Sequence, residues 1–306
     1  MSIAAAIGDT IEDERKKPSG PQKKGKVTPY LLMLPGMLWL GIFFVIPLVF
    51  LFMTSLQTPV PGGEVGQFQQ TFSFSNYVET LTDDTYYVPL LRSFIYSGIA
   101  TILALLIGYP LAYAIAFKAG KYRNVLLIMV IAPFFVSFIL RTIAWRQILA
   151  DEGPVVAVLR TIGIVGETGG VYPSAFAVIM GLTYNFLPFM TLPIYASLER
   201  VDPRLVEASG DLYAKPMTGF FKVTFPLSLP GVVAGTLLTF IPAAGDYVNA
   251  ALLGRPNNTM IGNRIEYTFL SVNDYPTAAV LSFILMASIL VLVLLYVRKV
   301  GTEDLV

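Results

Sequence analysis

Long apolar runs alternate with shorter polar ones from residue 30 to about residue 297. A helix that crosses a bilayer needs about 20 predominantly apolar residues. Six stretches reach that length: 30–56, 89–117, 124–149, 173–198, 228–252 and 276–297. The pattern predicts an all-α integral membrane protein with six transmembrane helices. The fifth stretch is interrupted by Pro230, Pro242 and Gly245. Residues 30–300 form a single transmembrane domain in this reading, between tails at 1–29 and 301–306. The first tail mixes Lys, Arg, acids, Pro and Gly, a composition that cannot bury a core and reads as disordered. The run after it is too long for a signal peptide and lacks a small-residue cleavage site, so it is expected to be an uncleaved first span.

Composition strengthens the membrane reading. The chain is 55% apolar and 13% charged, against about 25% charged for soluble domains. A soluble protein of that make-up could not cover its surface, so the lipid bilayer is the expected solvent. The net charge of +1 shows no basic bias, and no nucleic-acid partner is expected. Cysteine and histidine are both absent. Their absence excludes disulfides, thiol nucleophiles, imidazole acid–base work and most zinc sites.

Charge also orients the spans, because Lys and Arg collect on the cytoplasmic side. With the N-terminus inside, the inner segments hold the six basic residues of the tail, then Lys118, Lys121, Arg123, Arg200, Arg204, Lys215, Lys222, Arg298 and Lys299. Arg92, Arg141, Arg146, Arg160, Arg255 and Arg264 fall on the other side. Both termini are therefore expected in the cytoplasm. The outer segments are then an acidic, aromatic loop at 57–88, a segment at 150–172 containing the apolar run "GPVVAVLRTIGIVG", and a polar one at 253–275. The apolar run predicts a short helix lying in the membrane interface.

The inner stretch 199–227 breaks the apolar pattern between spans four and five. In "DPRLVEASGDLYA", Asp202 is a fitting N-cap and Pro203 a fitting first helical residue. Pro216 is expected to stop that helix near Lys215, and "TGFFKVTFPLSLPG" to restart toward the membrane. Two short helical pieces at an angle result. Ala208 and Ser209 are small enough for a foreign backbone to approach, and Glu207 can hold it by hydrogen bonds.

These residues resemble a family motif. Glu207-Ala208-Ser209, followed at the expected spacing by Val223-Thr224-Phe225-Pro226, is similar to the Glu-Ala-Ala … Gly … Ile-x-Leu-Pro loop of bacterial ABC importer permeases. The family Gly falls on Tyr213, which departs from the pattern, and the turn is expected to move to Lys215-Pro216. The resemblance covers nearly all of 30–300 and lies toward the spermidine/putrescine permeases, through "LIGYPLAYAIA", "APFFVSFILRTIAW", "LTYNFLPFMTLPIYASLE", "FIPAAGDYVNAALLG" and "MIGN". It implies the ABC importer permease fold in the bacterial inner membrane. It implies as partners a second homologous permease, two copies of a cytoplasmic P-loop ATPase and an extracytoplasmic polyamine-binding protein. The docking residues it implies are Glu207, Ala208, Ser209, Asp211, Tyr213 and Pro226.

The chain contains no G-x-x-x-x-G-K-[ST] loop; Gly120-Lys121 is followed by Tyr122. No cofactor is expected on this chain, and ATP and Mg belong to the partner ATPase. The chain is read as a transport subunit, not an enzyme.

A polyamine is a polycation with an apolar backbone, so its pathway needs carboxylates, carbonyls and aromatic faces. Asp246 lies inside the fifth apolar stretch, where a charge costs about 2.5–3.5 kcal/mol on insertion scales. Pro242 lies four residues before it and frees the carbonyl of Leu238. Tyr247 is adjacent, and Tyr184 and Asn185, just before Pro188, interrupt span four in the same way. Trp145 is a pathway contact or an interfacial belt residue. Asp246 either faces the pathway, pairs with a basic residue such as Arg141, or sits at the outer interface. Gly108, Gly181 and Gly235 are expected at close helix contacts. Two alternatives stand beside the polyamine importer. One is a permease of the same class for another small solute. The other is an ion-coupled carrier using Asp246, which would have no need of the 199–227 loop.

Overall fold

The computed structural model describes residues 28–163, 166 and 170–300. The expected tails lie outside this range, except for residues 28–29 of the first. The chain divides into two compact units, residues 1–51 and 52–306.

In the first unit the apolar run forms helix α1, which starts as Thr28–Leu40, passes one π turn at Gly41–Val45, and continues as Ile46–Ser55. Its apolar side chains, among them Trp39, Phe43 and Phe44, are exposed. An all-round apolar helix with no buried face is suited to hydrocarbon rather than to water.

In the second unit, a short hairpin pairs Gln57–Pro59 with Phe68–Gln70, in register Gln57↔Gln70. Helix α2 (Ser75–Thr82) follows. Helix α3 (Asp84–Tyr113) starts inside the expected outer loop, where Asp83 caps it by accepting from the Thr85 N–H at 2.8 Å. A π turn, Ala114–Lys118, extends it. The third apolar stretch is not one straight helix. Helix α4 (Arg123–Ile131, continued by a 3-10 turn to Phe135) meets helix α5 (Phe138–Ile148) at 97°. The bend sits where Val136 turns extended. Helix α6 (Pro154–Thr161) is a short helix where the apolar run predicts one.

Helix α7 (Ala175–Glu199) runs unbroken through Pro188 and Pro193. The interruption expected at Pro188 does not occur. Prolines persist in membrane helices where neighbouring helices compensate the lost bond, and Pro188 is buried against them. Helix α8 (Pro203–Asp211) and helix α9 (Pro216–Ala244, with a π turn at Phe220–Thr224) carry the polar loop and the fifth apolar stretch. Pro230 and Pro242 do not break α9 either; it ends at Ala244. Helices α10 (Val248–Leu253), α11 (Ile261–Leu270) and α12 (Tyr275–Val300) complete the chain.

Among the described residues, five helices are long and apolar enough to cross a membrane, and the bent α4/α5 pair makes a sixth if it is one span. The core of the second unit is the packing of α3, α7 and α9. Small residues set how closely these helices approach. A Cβ on Gly235 would lie 2.9 Å from the Met190 carbonyl oxygen, and one on Gly108 3.0 Å from Thr191 Oγ1. Two buried clusters result. One gathers Tyr109, Ile115, Met190, Ile194, Leu198 and Val232, with Phe220 and Phe225 packed on it. The other gathers Tyr96, Leu149, Leu182, Phe186, Leu253 and Met260, with Phe138 and Trp145 packed on it.

Candidate functional site

The second cluster encloses a buried polar knot. Helix α9 ends two residues before Asp246, and α10 begins two residues after it. Asp246, only 8% exposed, fills the break. Its Oδ1 accepts the Asn249 N–H at 2.8 Å, and its Oδ2 accepts from Asn249 Nδ2 at 3.2 Å. Asp246 thus caps α10, meeting an orphan N–H at the helix start. Asn249 extends the knot to two more helices. Its Oδ1 accepts from Asn185 Nδ2 of α7 at 3.0 Å and from Thr142 Oγ1 of α5 at 3.4 Å. Asn185 Nδ2 also donates to Thr142 Oγ1 at 3.2 Å. Asn263 of α11 donates to the Tyr247 carbonyl at 2.7 Å and fastens the break from the other side. Glycines make room for all this: a Cβ on Gly262 would lie 2.6 Å from the Gly245 carbonyl oxygen, and one on Gly181 2.7 Å from Asn249 Oδ1.

The alternative partner for Asp246 is not the one used. Both carboxylate oxygens are taken by Asn249, while the Arg141 guanidinium lies over the Phe134 and Phe138 rings, 5.8 and 5.6 Å from their centroids. Arg141 is 7% exposed, and its Nε and Nη1 have no hydrogen-bond partner among the described residues. Asp246 itself is buried, while Tyr247 beside it in the break is exposed. Trp145 and Tyr184 meet edge to face at 5.4 Å, both half-buried. Tyr247 is 47% exposed. The expected pathway residues therefore separate into a buried pair, Asp246 and Asn185, two half-buried rings, Trp145 and Tyr184, and the exposed ring of Tyr247. Sequence reading left out Thr142 and Asn263. Both are polar residues inside quoted apolar motifs, and that was their only signal.

The polar loop lies at the other cluster. Asp202 accepts from the Arg204 N–H at 2.9 Å and caps α8, with Pro203 at its first position as expected. Glu207 and Ala208 are exposed, and so are Asp211 and Pro226. Ser209 is half-buried, because it sits over Gly219, where a Cβ would come within 2.7 Å of Ser209 Oγ. The turn does not move to Lys215-Pro216. Pro216 begins α9 instead of stopping α8, which ends at Asp211. The turn is made by Tyr213 itself, in the left-handed region at φ 58°. The Tyr213 N–H donates to Gly210 O at 2.9 Å and the Ala214 N–H to Ser209 O at 3.1 Å. That pair of bonds is the Schellman closure, which calls for a left-handed residue where Tyr213 stands. The second helical piece is not separate either; it runs straight on into α9.

The start of α9 is tied to the helix bundle through aromatic rings. Phe220 stands edge-on to Tyr109 of α3 at 5.6 Å, and the Tyr109 hydroxyl shares a 2.8 Å hydrogen bond with Ser228. Arg123, opening α4, pairs with Glu199 at the end of α7 and stacks 5.1 Å over the Tyr195 ring.

Known proteins share this architecture and sequence. Residues 104–300 match the family described as binding-protein-dependent transport system inner membrane component. The spermidine/putrescine transport system permease protein PotB of Salmonella typhimurium is 35% identical over 260 residues, 85% of this chain and 89% of the relative. PotB of Escherichia coli K12 is 34% identical over 85% of this chain and 93% of its own length. A chain of a bacterial ABC transporter involved in the import of the acidic polysaccharide alginate superposes with a TM-score of 0.71 at 18% identity, covering 89% of this chain and 94% of that one. At that identity the superposition speaks to the fold alone. With 85% of its length aligned to these relatives and its helices in the same arrangement, the chain belongs to the family of binding-protein-dependent transport system inner membrane components, multi-pass permease subunits of ABC importers in the inner membrane.

Proposed function

We propose that this chain is one of two permease subunits that together form the alternating-access pathway of a polyamine importer. Sequence identity to spermidine/putrescine permeases over most of the chain is the observation that carries the reading. Spermidine or putrescine is the substrate class. Supply comes from an extracytoplasmic binding protein, and the polar outer cleft lined by Arg255, Arg264, Glu266 and Tyr267 is a fitting contact for it. Two ATPase subunits bind ATP and Mg in the cytoplasm and hold the 199–227 loop by Glu207, Ala208, Ser209, Asp211, Tyr213 and Pro226. Closure of the ATPases moves α8 as a rigid body, and the Phe220–Tyr109 and Arg123–Glu199 contacts carry that movement into the spans.

The pathway runs past the α9–α10 break. A methylene chain with ammonium ends passes the rings of Tyr247, Tyr184 and Trp145, each worth about 0.5–2 kcal/mol to a cation. Asp246 supplies the negative potential and holds the break in shape. Asn185 Oδ1 is a buried acceptor with no hydrogen-bond partner among the described residues. The test is uptake of labelled spermidine and putrescine in a transport-deficient host carrying the whole importer. Saturable, ATP-dependent uptake of either is expected with the wild-type chain. Uptake of neither, with the assembled complex present in the membrane, would refute the substrate assignment.

A further inference from the structure

The residue that closes α8 takes a backbone conformation that its side chain disfavours. The Schellman closure forces left-handed backbone at Tyr213, φ 58°, and for a residue with a side chain that conformation costs about 1–2 kcal/mol. Glycine, which the family motif carries at this position, avoids the cost. Asn or Asp would soften it by local hydrogen bonding; a phenol ring does not. The ring is 97% exposed, and among the described residues no hydrogen bond or ring contact involves its side chain. Leu212 beside it is 81% exposed. Charged residues of α8, Arg204, Glu207 and Asp211, are exposed near this tip, and so is Leu205. Two large, almost fully exposed side chains at the end of a helix that also exposes charges are suited to burial against another protein, and tyrosine is among the residue types that dominate interface energies.

We propose that Tyr213 is an anchor by which this permease selects its ATPase. The ring enters an aromatic-sized apolar slot on the ATPase, flanked by Leu212, and this contact offsets the strained turn. The inference rests on the docking role of the 199–227 loop and deepens it. A permease with glycine here presents no ring to hold, so the slot is a feature of this chain's own partner.

The two roles for the tyrosine, anchor and tolerated strain, predict opposite effects of Tyr213→Gly. The full chain would be assembled with its second permease in nanodiscs, and the P-loop ATPase recovered with the wild-type chain from native membranes titrated onto it. With Tyr213→Gly, the melting temperature should stay level or rise, while ATPase affinity falls about tenfold or more. Tyr213→Phe should stay within about threefold of wild type, because the ring supplies most of the contact. Undiminished ATPase binding by Tyr213→Gly removes the anchor and leaves the docking loop standing. A drop in melting temperature together with binding overturns it too, since the ring would then support the chain's own fold. A wild-type chain that holds no ATPase removes the docking role and the anchor together.

Discussion

Asp246 and Tyr213 both violate the expectations of their surroundings, and the chain treats them oppositely. The carboxylate of Asp246 sits in an apolar stretch, and every cost it brings is met within the fold: two bonds from Asn249, then a chain of amides and a hydroxyl onto α7 and α5. The left-handed backbone of Tyr213 serves the two bonds that close α8, but its ring finds no hydrogen-bond or ring partner among the described residues. A violation that is satisfied internally builds structure, and one left open points outward. By that criterion the α9–α10 break is first a structural joint and the α8 tip first an interaction surface.

The sharpest way to break the comparison is at Gly262. A methyl group there would press on the backbone oxygen of Gly245, which cannot swing aside. We expect Gly262→Ala to cost about 1–3 kcal/mol as overpacking and to abolish uptake, read by thermal melting of the purified chain and by transport. Next comes Asp246→Asn, which puts an amide donor against one of the two donors of Asn249. A loss of about 1–3 kcal/mol, together with strongly reduced polyamine uptake in an assembled complex, is expected. Normal melting and normal uptake at limiting substrate would remove both the knot and the pathway from Asp246. Glu207→Ala should leave melting unchanged, since the side chain is exposed, yet reduce ATPase co-purification and transport; unchanged recovery of the ATPase would end the docking role of Glu207. The smallest effect belongs to Asp202→Ala. Loss of an N-cap weakens a helix by about 0.5–2 kcal/mol, so amide exchange should quicken across 203–211 while the global melt stays in place.

Much of this was legible in the chain. The apolar runs located the long helices because hydrocarbon leaves a backbone little choice but to bond within its own segment. The start of α8 was legible because Asp202 and Pro203 act over two or three residues. Its end was not. Tyr213 is an unlikely residue for a left-handed turn, so the turn was expected at Lys215-Pro216, whereas Pro216 suits the first turn of a helix and opens α9. The same limit applied to Pro188, Pro230 and Pro242. A proline read alone suggests a break, but packing from neighbouring helices carried α7 and α9 through. Asp246 stood out as a buried acid, yet the wider knot was not foreseeable, because Asn185 and Thr142, which bond its partner Asn249, lie far away in sequence and arrive on different helices.

Sequence by itself determined that the chain lives in a membrane, where its long helices run, which family it joins and which segment stands out as polar, all of them consequences of short-range pattern and composition. Tertiary structure decided what each exceptional residue does. Hydrogen bonds to a buried carboxylate, the bend of the third apolar stretch and the exposure of one ring all depend on which helices meet. Those meetings are set by the close approach of small residues across α3, α7 and α9, which no local window of sequence contains.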